Sequence, residues 1–483
     1  MVVNSITFWL FFAATLLPYF LLYKAGSKWQ NLWLLLASYF FYGWADWRML
    51  PLLAVTTIIF YGLGVAIGEN TESNPKKAAR FKTLGIILGL GVLVYFKYLG
   101  FMVNQFATLF HFWGMDVGES TFSIIMPIGI SFFTFKLMSY VLEVNLGNIK
   151  PEKDIVKFGT YIAFFPTILS GPIDRPNKFL PQLDVVRRID ANNLSEGLKR
   201  ILWGMFLKMC IADRIAPWTD AVFNNYAHHN GTTIIVASVL YLIQMYTDFA
   251  GYSDMAIGVA RMMGIKVAEN FKRPFFAQNI AEYWRNWHIT LTQWVTDYVF
   301  KPLTVSFRDW GKWGIYLATL INFVLIGAWH GANWTFVLFG AYHGLLLILV
   351  LALEKRRKKL EKKHNLKKNE VYKWSRRFLT FVLCAIGAVL WRSASVGDFF
   401  GTITQIGSGF GSLFTKGFYE IAMYAIPSVI VVFFNEWLQE YDRKLRFFHN
   451  GNVVVRLASI VLMIVWILYA GELDGSSFIY FQF

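Results

Sequence analysis

Apolar runs near twenty residues in length recur from one end of the chain to the other, separated by short polar stretches. That pattern predicts helices that cross a bilayer, since ~20 helical residues span ~30 Å of hydrocarbon. The runs centre near residues 5–23, 30–43, 50–68, 83–109, 122–142, 197–221, 233–258, 314–330, 334–353, 378–391, 421–437 and 453–470. The expected fold class is an all-α polytopic membrane protein with about twelve transmembrane helices, residues 1–483 forming a single integral-membrane domain. The first run lacks a basic leader and is followed directly by Lys24 and Lys28, with no small-residue cleavage site, so it reads as a first span and not a removed signal.

Three stretches break the pattern. Residues 158–169 are apolar but too few to cross, and they run into Ser170-Gly-Pro-Ile-Asp-Arg-Pro176, where two prolines and a glycine stop a helix. A re-entrant or half-buried segment is expected, because irregular backbone at membrane depth is tolerated only inside protein or beside a water-filled cavity. Pro127-Ile-Gly-Ile-Ser131 makes a similar case inside the fifth run, with a proline kink in an ordinary span as the alternative. Residues 281–299, plotted at the helical period, put Glu282, Asn286, Thr290, Gln293 and Asp297 on one stripe and Trp284, Trp287, His288 and Leu291 on the other. This predicts an amphipathic helix in the interface, its tryptophan face towards the headgroup region.

Composition agrees with the membrane reading: 56% of residues are hydrophobic and 18% aromatic. The net charge of +16 first suggests nucleic acid, but more than half of it is one stretch. Residues 354–377 hold twelve Lys/Arg against three Glu, a net of +9 between two apolar runs. A cytoplasmic loop obeying the positive-inside bias accounts for it, and no nucleic-acid partner is expected. With that loop inside, both termini fall outside, and Lys76, Lys77, Arg80 and Lys82 fall inside with it. Cys210 and Cys384 both sit in apolar runs without metal-binding spacing, so neither a disulfide nor structural zinc is expected.

Two histidines stand out, both held between tryptophans within the apolar sequence. His288 lies in Glu282-Tyr-Trp-Arg-Asn-Trp-His288 and His330 in Gly327-Ala-Trp-His330-Gly-Ala-Asn-Trp334. Ionisable groups at membrane depth are functional candidates, and neutral imidazole can take a proton from a hydroxyl and return it to a leaving group, as acyl transfer from a thioester requires. A structural hydrogen bond to a neighbouring span is the alternative for each. Asp248 has no partner in its own helix and is placed either to orient an imidazole or to line a cavity. No HExxH, phosphate loop or GxSxG elbow appears, which weakens metal, nucleotide and serine-hydrolase readings, and no internal repeat of a two-half transporter is visible.

Six motifs in order complete a resemblance. Pro127-Ile-Gly-Ile-Ser-Phe-Phe-Thr-Phe135, Ser170-Gly-Pro172, Asp248-Phe-Ala-Gly-Tyr-Ser-Asp-Met-Ala-Ile-Gly258, Asn270-Phe-Lys-Arg-Pro-Phe275, Tyr283-Trp-Arg-Asn-Trp-His288 and Gly327-Ala-Trp-His330-Gly-Ala-Asn-Trp334 resemble the membrane-bound O-acyltransferase (MBOAT) family. Within it they resemble the bacterial branch of alginate O-acetyltransferases and teichoic-acid D-alanyl transferases, most densely over 127–344. The resemblance implies tilted spans around a central funnel that reaches a buried catalytic histidine, His330, with His288 supporting it. Asp248, Asn286, Trp329 and Asn333 are the candidate substrate-binding positions. The implied donor is a cytosolic thioester such as acetyl-CoA or an acyl carrier protein, with no tightly bound cofactor or metal. The implied setting is the bacterial cytoplasmic (inner) membrane, with its lipids, and the implied partner is an exported or periplasmic transferase that modifies a polysaccharide or peptidoglycan. Chain length and the ending Phe478-Ile-Tyr-Phe-Gln-Phe483 favour acetyl transfer over D-alanyl transfer; a transporter or flippase with buried His and Asp along its path is the competing class.

The ending carries a further expectation. Aromatic rings are at home at the membrane interface, so an anchor is the plain reading. Yet Tyr480 offers one nucleophilic hydroxyl among phenylalanines, and in related acylation systems a similar tyrosine motif looks like an acyl relay. Tyr480 is therefore a third candidate catalytic residue, with His330 as its base.

Overall fold

The structure, a computed structural model, describes residues 1, 3–115, 124–443, 445–473 and 478. Among these, every regular element is helical. Nine helical stretches are long and apolar enough to cross a membrane: Ile6–Lys24, Ser27–Asn70, Pro75–Phe112, Gly231–Met262, Lys312–His330, Trp334–Lys363, Glu370–Arg392, Phe418–Glu440 and Val453–Ala470. The protein is an all-α, multi-pass membrane protein.

Hydropathy predicts about twelve such helices, and the difference has three local causes. Ser27–Asn70 carries two predicted spans as one run, Ser27–Asp46 and Leu50–Asn70, joined by a tight turn in which Asp46 accepts from the Arg48 N–H. The fifth span starts only at Ile130, after Pro127 and a left-handed Gly129, so the helix Ile130–Asn145 has 16 residues. A Cβ on Gly129 would collide with the Ile168 carbonyl, which is why glycine is needed there. Pro127 thus precedes the helix, and the kinked-span alternative is set aside. The sixth span is interrupted: helix Ala191–Leu207 widens into a π turn over Lys208–Ala212 before Asp213–Phe223 resumes.

By packing, the chain forms two compact units, Met1–Ile201 with Met255–Ala268, and Leu202–Asp254 with Glu269–Phe483. The first is built around the short irregular stretch. Helix Ile155–Ala163, capped by Asp154, stops at Phe164, and residues 157–174 are all buried. Side chains meet the backbone groups that the helix no longer satisfies. Ser38 accepts from the Phe165 N–H at 3.1 Å, the Tyr161 hydroxyl donates to the Asp174 carbonyl at 3.0 Å, and Asp174 accepts from the Ala268 N–H at 2.9 Å. Irregular backbone surrounded by protein is the condition the sequence pattern requires.

The second unit holds the helix hairpin Lys312–His330 and Trp334–Lys363. Its helices touch backbone to backbone, since a Cβ on Gly327 would strike the Phe336 carbonyl and one on Gly340 the Phe323 carbonyl. The basic stretch 354–377 is largely helical extension of two spans, broken only between Lys363 and Glu370. Within it Glu361 is buried, accepting from Arg376 at 2.8 Å and the Tyr372 hydroxyl at 3.1 Å. The amphipathic helix predicted over 281–299 is two helices, Ile280–Asn286 and Ile289–Val295, broken at His288. The tryptophan face does not look out to the headgroup region as expected: Trp284, Trp287, His288 and Leu291 are all buried within the protein, and so is Thr290 from the polar stripe.

Candidate active site

The break at His288 is made by its neighbours. Asn279 caps the preceding helix, accepting from the Glu282 N–H at 3.0 Å, while Glu282 reaches back to the Gln278 N–H at 2.8 Å. Asn286 closes that helix, half-buried, its carbonyl accepting from the Lys272 N–H at 3.0 Å. Trp287 is then extended, and His288 is left-handed at φ 40° and ψ 54°. A residue with a Cβ adopts that conformation only where the surroundings impose it.

Asn270 imposes it. Its carbonyl accepts from the Ile289 N–H at 2.9 Å, and its side-chain oxygen accepts from the Thr290 hydroxyl at 2.9 Å and lies 3.1 Å from His288 Nδ1. The Thr290 N–H, which can only donate, also points at that oxygen at 3.4 Å and identifies it as the acceptor, while the amide nitrogen donates to Ser253 at 3.2 Å. The imidazole therefore carries its proton on Nδ1 and presents Nε2 as the basic nitrogen. Burial holds His288 neutral, its pKa pushed down to about 3.

His330 arrives from another element. It is the last residue of helix Lys312–His330; Gly331 turns the chain, and Asn333 caps the next helix by accepting from the Thr335 N–H at 3.1 Å while donating to the Ala394 carbonyl at 2.8 Å. The His330 ring is buried against Trp391, with centroids 4.3 Å apart, and against Trp329 at 4.9 Å. Trp329 also lies 5.7 Å from His288. The two imidazoles, far apart in sequence, are 6.4 Å apart between centroids.

Asp248 does not orient either ring through any described bond. Its carboxylate pairs with Lys208 at 2.6 Å, and Lys208 pairs also with Asp213 at 2.8 Å, all three buried. The next residue, Phe249, meets His288 edge-on at 4.7 Å, so the charge cluster backs the wall of the site. Sequence reasoning missed Lys208, Asp213 and Trp391 and gave Asn270 no role. A lysine and an aspartate five positions apart in one apolar run were the available signal for the first two. Tyr480 lies outside the described residues. Phe478, two positions before it, is fully buried, stacked on Tyr252 at 4.7 Å and 5.7 Å from Phe249.

This arrangement places two imidazoles, that of His288 held neutral by burial, in one aromatic wall, and an imidazole is a group that can take a proton from a hydroxyl and return it to a leaving group. Comparison with known proteins agrees with that chemistry. Residues 36–386 match the membrane-bound O-acyltransferase family. The chain is 32% identical to a probable alginate O-acetylase AlgI of Pseudomonas putida, over 97% of this chain and 98% of that one. It is 30% identical to a peptidoglycan O-acetyltransferase of Helicobacter pylori, over 66% and 64% of the two chains, and 33% identical to a teichoic acid D-alanyltransferase of Bacillus subtilis, over 43% and 55%.

Proposed function

Because this chain belongs to the membrane-bound O-acyltransferase family, and is an O-acyltransferase on that ground, we propose that it moves an acetyl group from a cytosolic thioester to hydroxyls of an exported polysaccharide or peptidoglycan. The observation that carries the reading is the pair of buried imidazoles 6.4 Å apart in a chain alignable over nearly its whole length with an O-acetylase. The D-alanyltransferase relatives align over 43% and 54% of this chain, against 97% for the O-acetylase, which supports acetyl over D-alanyl transfer. Membership of an enzyme family sets the transporter alternative aside.

On this reading His330 is the general base. It takes the proton of the attacking hydroxyl; the oxygen adds to the thioester carbonyl; the intermediate collapses by breaking the C–S bond, and His330 returns the proton to the departing thiolate. His288, its Nδ1–H fixed on Asn270, directs Nε2 into the same apolar wall and positions the reacting groups. Trp329, lying against both rings, shapes the space between them. Asp248, Asn286 and Asn333 are committed to the contacts given above, so their proposed share in substrate binding is through the framework they hold.

The donor is acetyl-CoA or an acyl carrier protein, the location the bacterial inner membrane, and the final acceptor is reached with an exported transferase as partner. Tyr480 serves as the first acceptor: its hydroxyl and the thioester give an acetyl-tyrosine ester and free thiol, and the ester passes its acetyl group to the partner. The burial of Phe478 beside Phe249 supports this, because it brings the chain to within two residues of Tyr480 at the site's wall. Purified protein in liposomes, supplied with acetyl-CoA, tests the whole reading. Thiol release that depends on His330, with acetyl recovered on Tyr480, is expected; no release from the wild type ends it.

A further inference from the structure

A third imidazole is buried behind His330. His343, on helix Trp334–Lys363, lies against Phe339 with ring centroids 4.7 Å apart, edge-on to Trp284 at 5.2 Å and parallel to Tyr283 at 6.4 Å. Phe339 in turn lies 6.3 Å from His330, so one ring separates the two imidazoles. The far edge of His343 is fitted to the neighbouring helix, where a Cβ on Gly387 would stand 2.5 Å from Nε2. Packing of this kind needs a flat ring and no nitrogen; phenylalanine fills such a place without burying a polar atom.

The nitrogen has company. Among the described residues, His343 Nδ1, Trp284 Nε1 and Asn322 Oδ1 are buried polar atoms with no hydrogen-bond partner. Trp284 meets His343 directly and Phe323 at 5.1 Å, and Phe323 follows Asn322 on helix Lys312–His330. A Cβ on Gly344, next to His343, would lie 3.1 Å from the Phe323 side chain, so Asn322 and His343 stand at one level of the hairpin. Asn322 also shares a helix face with Trp329, the ring that lies against both His330 and His288. A buried polar atom left unmet costs about 1–3 kcal/mol, and three of them on neighbouring elements call for a common partner. The indole N–H can only donate, the amide oxygen can only accept, and a neutral imidazole nitrogen does either. A donor beside an acceptor is the complement of an amide, which presents one C=O and one N–H.

Their position in the hairpin selects the substrate. Helix Trp334–Lys363 runs from the turn after His330 into the basic stretch expected in the cytoplasm, and His343 lies ~13 Å along it from Trp334. On that orientation the three atoms are on the cytoplasmic side of His330, from which the donor comes. Coenzyme A and acyl carrier proteins hold their thioester on the same arm, a chain with two amides between sulfur and phosphate. We propose that Trp284, Asn322 and His343 bind the amide-bearing arm of the acyl donor as it reaches His330. The Trp284 N–H donates to an arm carbonyl, Asn322 accepts an arm N–H, and His343 Nδ1 meets the second amide. This rests on the acyl-transfer reading above and adds to it a site for the arm. Such a site discriminates sharply, because a donor without amides leaves the protein's own polar atoms unmet.

The test varies the donor, with the full chain in liposomes of phosphatidylethanolamine and phosphatidylglycerol and initial thiol release as the readout. Acetyl-pantetheine carries both amides and no nucleotide; S-ethyl thioacetate carries the same acetyl thioester and no amide. Wild-type protein should prefer acetyl-pantetheine by about 10²-fold or more in kcat/KM. His343→Phe, Asn322→Leu and Trp284→Phe should each cut that preference about tenfold, chiefly by raising KM for acetyl-pantetheine, a tenfold change being the size of one hydrogen bond. His343→Asn, which keeps a polar atom near the place of Nδ1, should retain most of the preference, and His343→Phe should melt no lower than wild type. Acetyl-CoA and an acetylated acyl carrier protein, run in parallel, show by the larger kcat/KM which source delivers the arm, and each variant should weaken that source as it weakens acetyl-pantetheine. A wild type that treats acetyl-pantetheine and S-ethyl thioacetate alike overturns the arm site, as do variants that lower both donors in proportion, the mark of a packing role. No thiol release from any donor overturns the acyl-transfer reading itself.

Discussion

At the scale of single residues, the site depends on the two imidazoles and on which nitrogen of His288 is engaged. His330→Ala should lower transfer by ~10² to 10⁴, the usual worth of a general base, with membrane abundance preserved; polymer acetylation in cells checks it. Asn270→Ala leaves three donors around His288 short of one oxygen, a loss of about 1–3 kcal/mol that a thermal unfolding scan in detergent should register. His288 also has a pH signature. Its pKa is about 3 when folded against 6.5 for a free imidazole, so between those values the unfolded chain binds the extra proton. Stability is therefore fully present above pH 6.5 and declines as the pH falls towards 3. His288→Gln should flatten that decline, measured as the unfolding midpoint against pH. Lys208 gives the opposite lesson. Removing it takes away the cation that two buried carboxylates share, so Lys208→Met should destabilise by about 3–5 kcal/mol, more than Asp248→Asn, which leaves Lys208 its Asp213 partner.

At the scale of elements, most helices were legible because a run of apolar residues needs only its own sequence to declare a span. What was not legible was set by partners elsewhere in the chain. The helical period continues on both sides of His288, and nothing local announces the left-handed residue there; the cause is Asn270, visible only once it packs. Likewise nothing local announces the π turn at Lys208–Ala212, whose Lys208 pairs with Asp248 on another helix. The two histidines themselves could be picked out, because glycines and tryptophans beside a polar group in apolar sequence are unusual. The hairpin that carries His330 is held by glycine contacts, and it sets the ring's position. Gly340→Val should push the two helices apart at the Phe323 carbonyl, costing about 1–3 kcal/mol from overpacking and lowering transfer by about 10² as His330 shifts; parallel melting and activity measurements separate the two effects.

At the scale of the whole molecule, charge decides orientation. The stretch 354–377, with its net +9, is expected in the cytoplasm and the segment after the last helix outside. In a background lacking Cys210 and Cys384, an impermeant thiol reagent on intact cells should label Leu473→Cys and spare Lys359→Cys; the reverse pattern refutes this orientation. Sequence separation, finally, is also a timetable. The His288 turn is assembled from residues 249–290, which a ribosome working at ~5–20 residues per second delivers within seconds of one another. His330 and Trp391 follow, and Phe478 comes long after all of them. During that interval both imidazoles are present while the ring that covers Phe249 is still unmade. A copy that stops short of Phe478 therefore carries both imidazoles while Tyr252 and Phe249 still lack the ring they pack against, and the aromatic wall beside His288 is completed last.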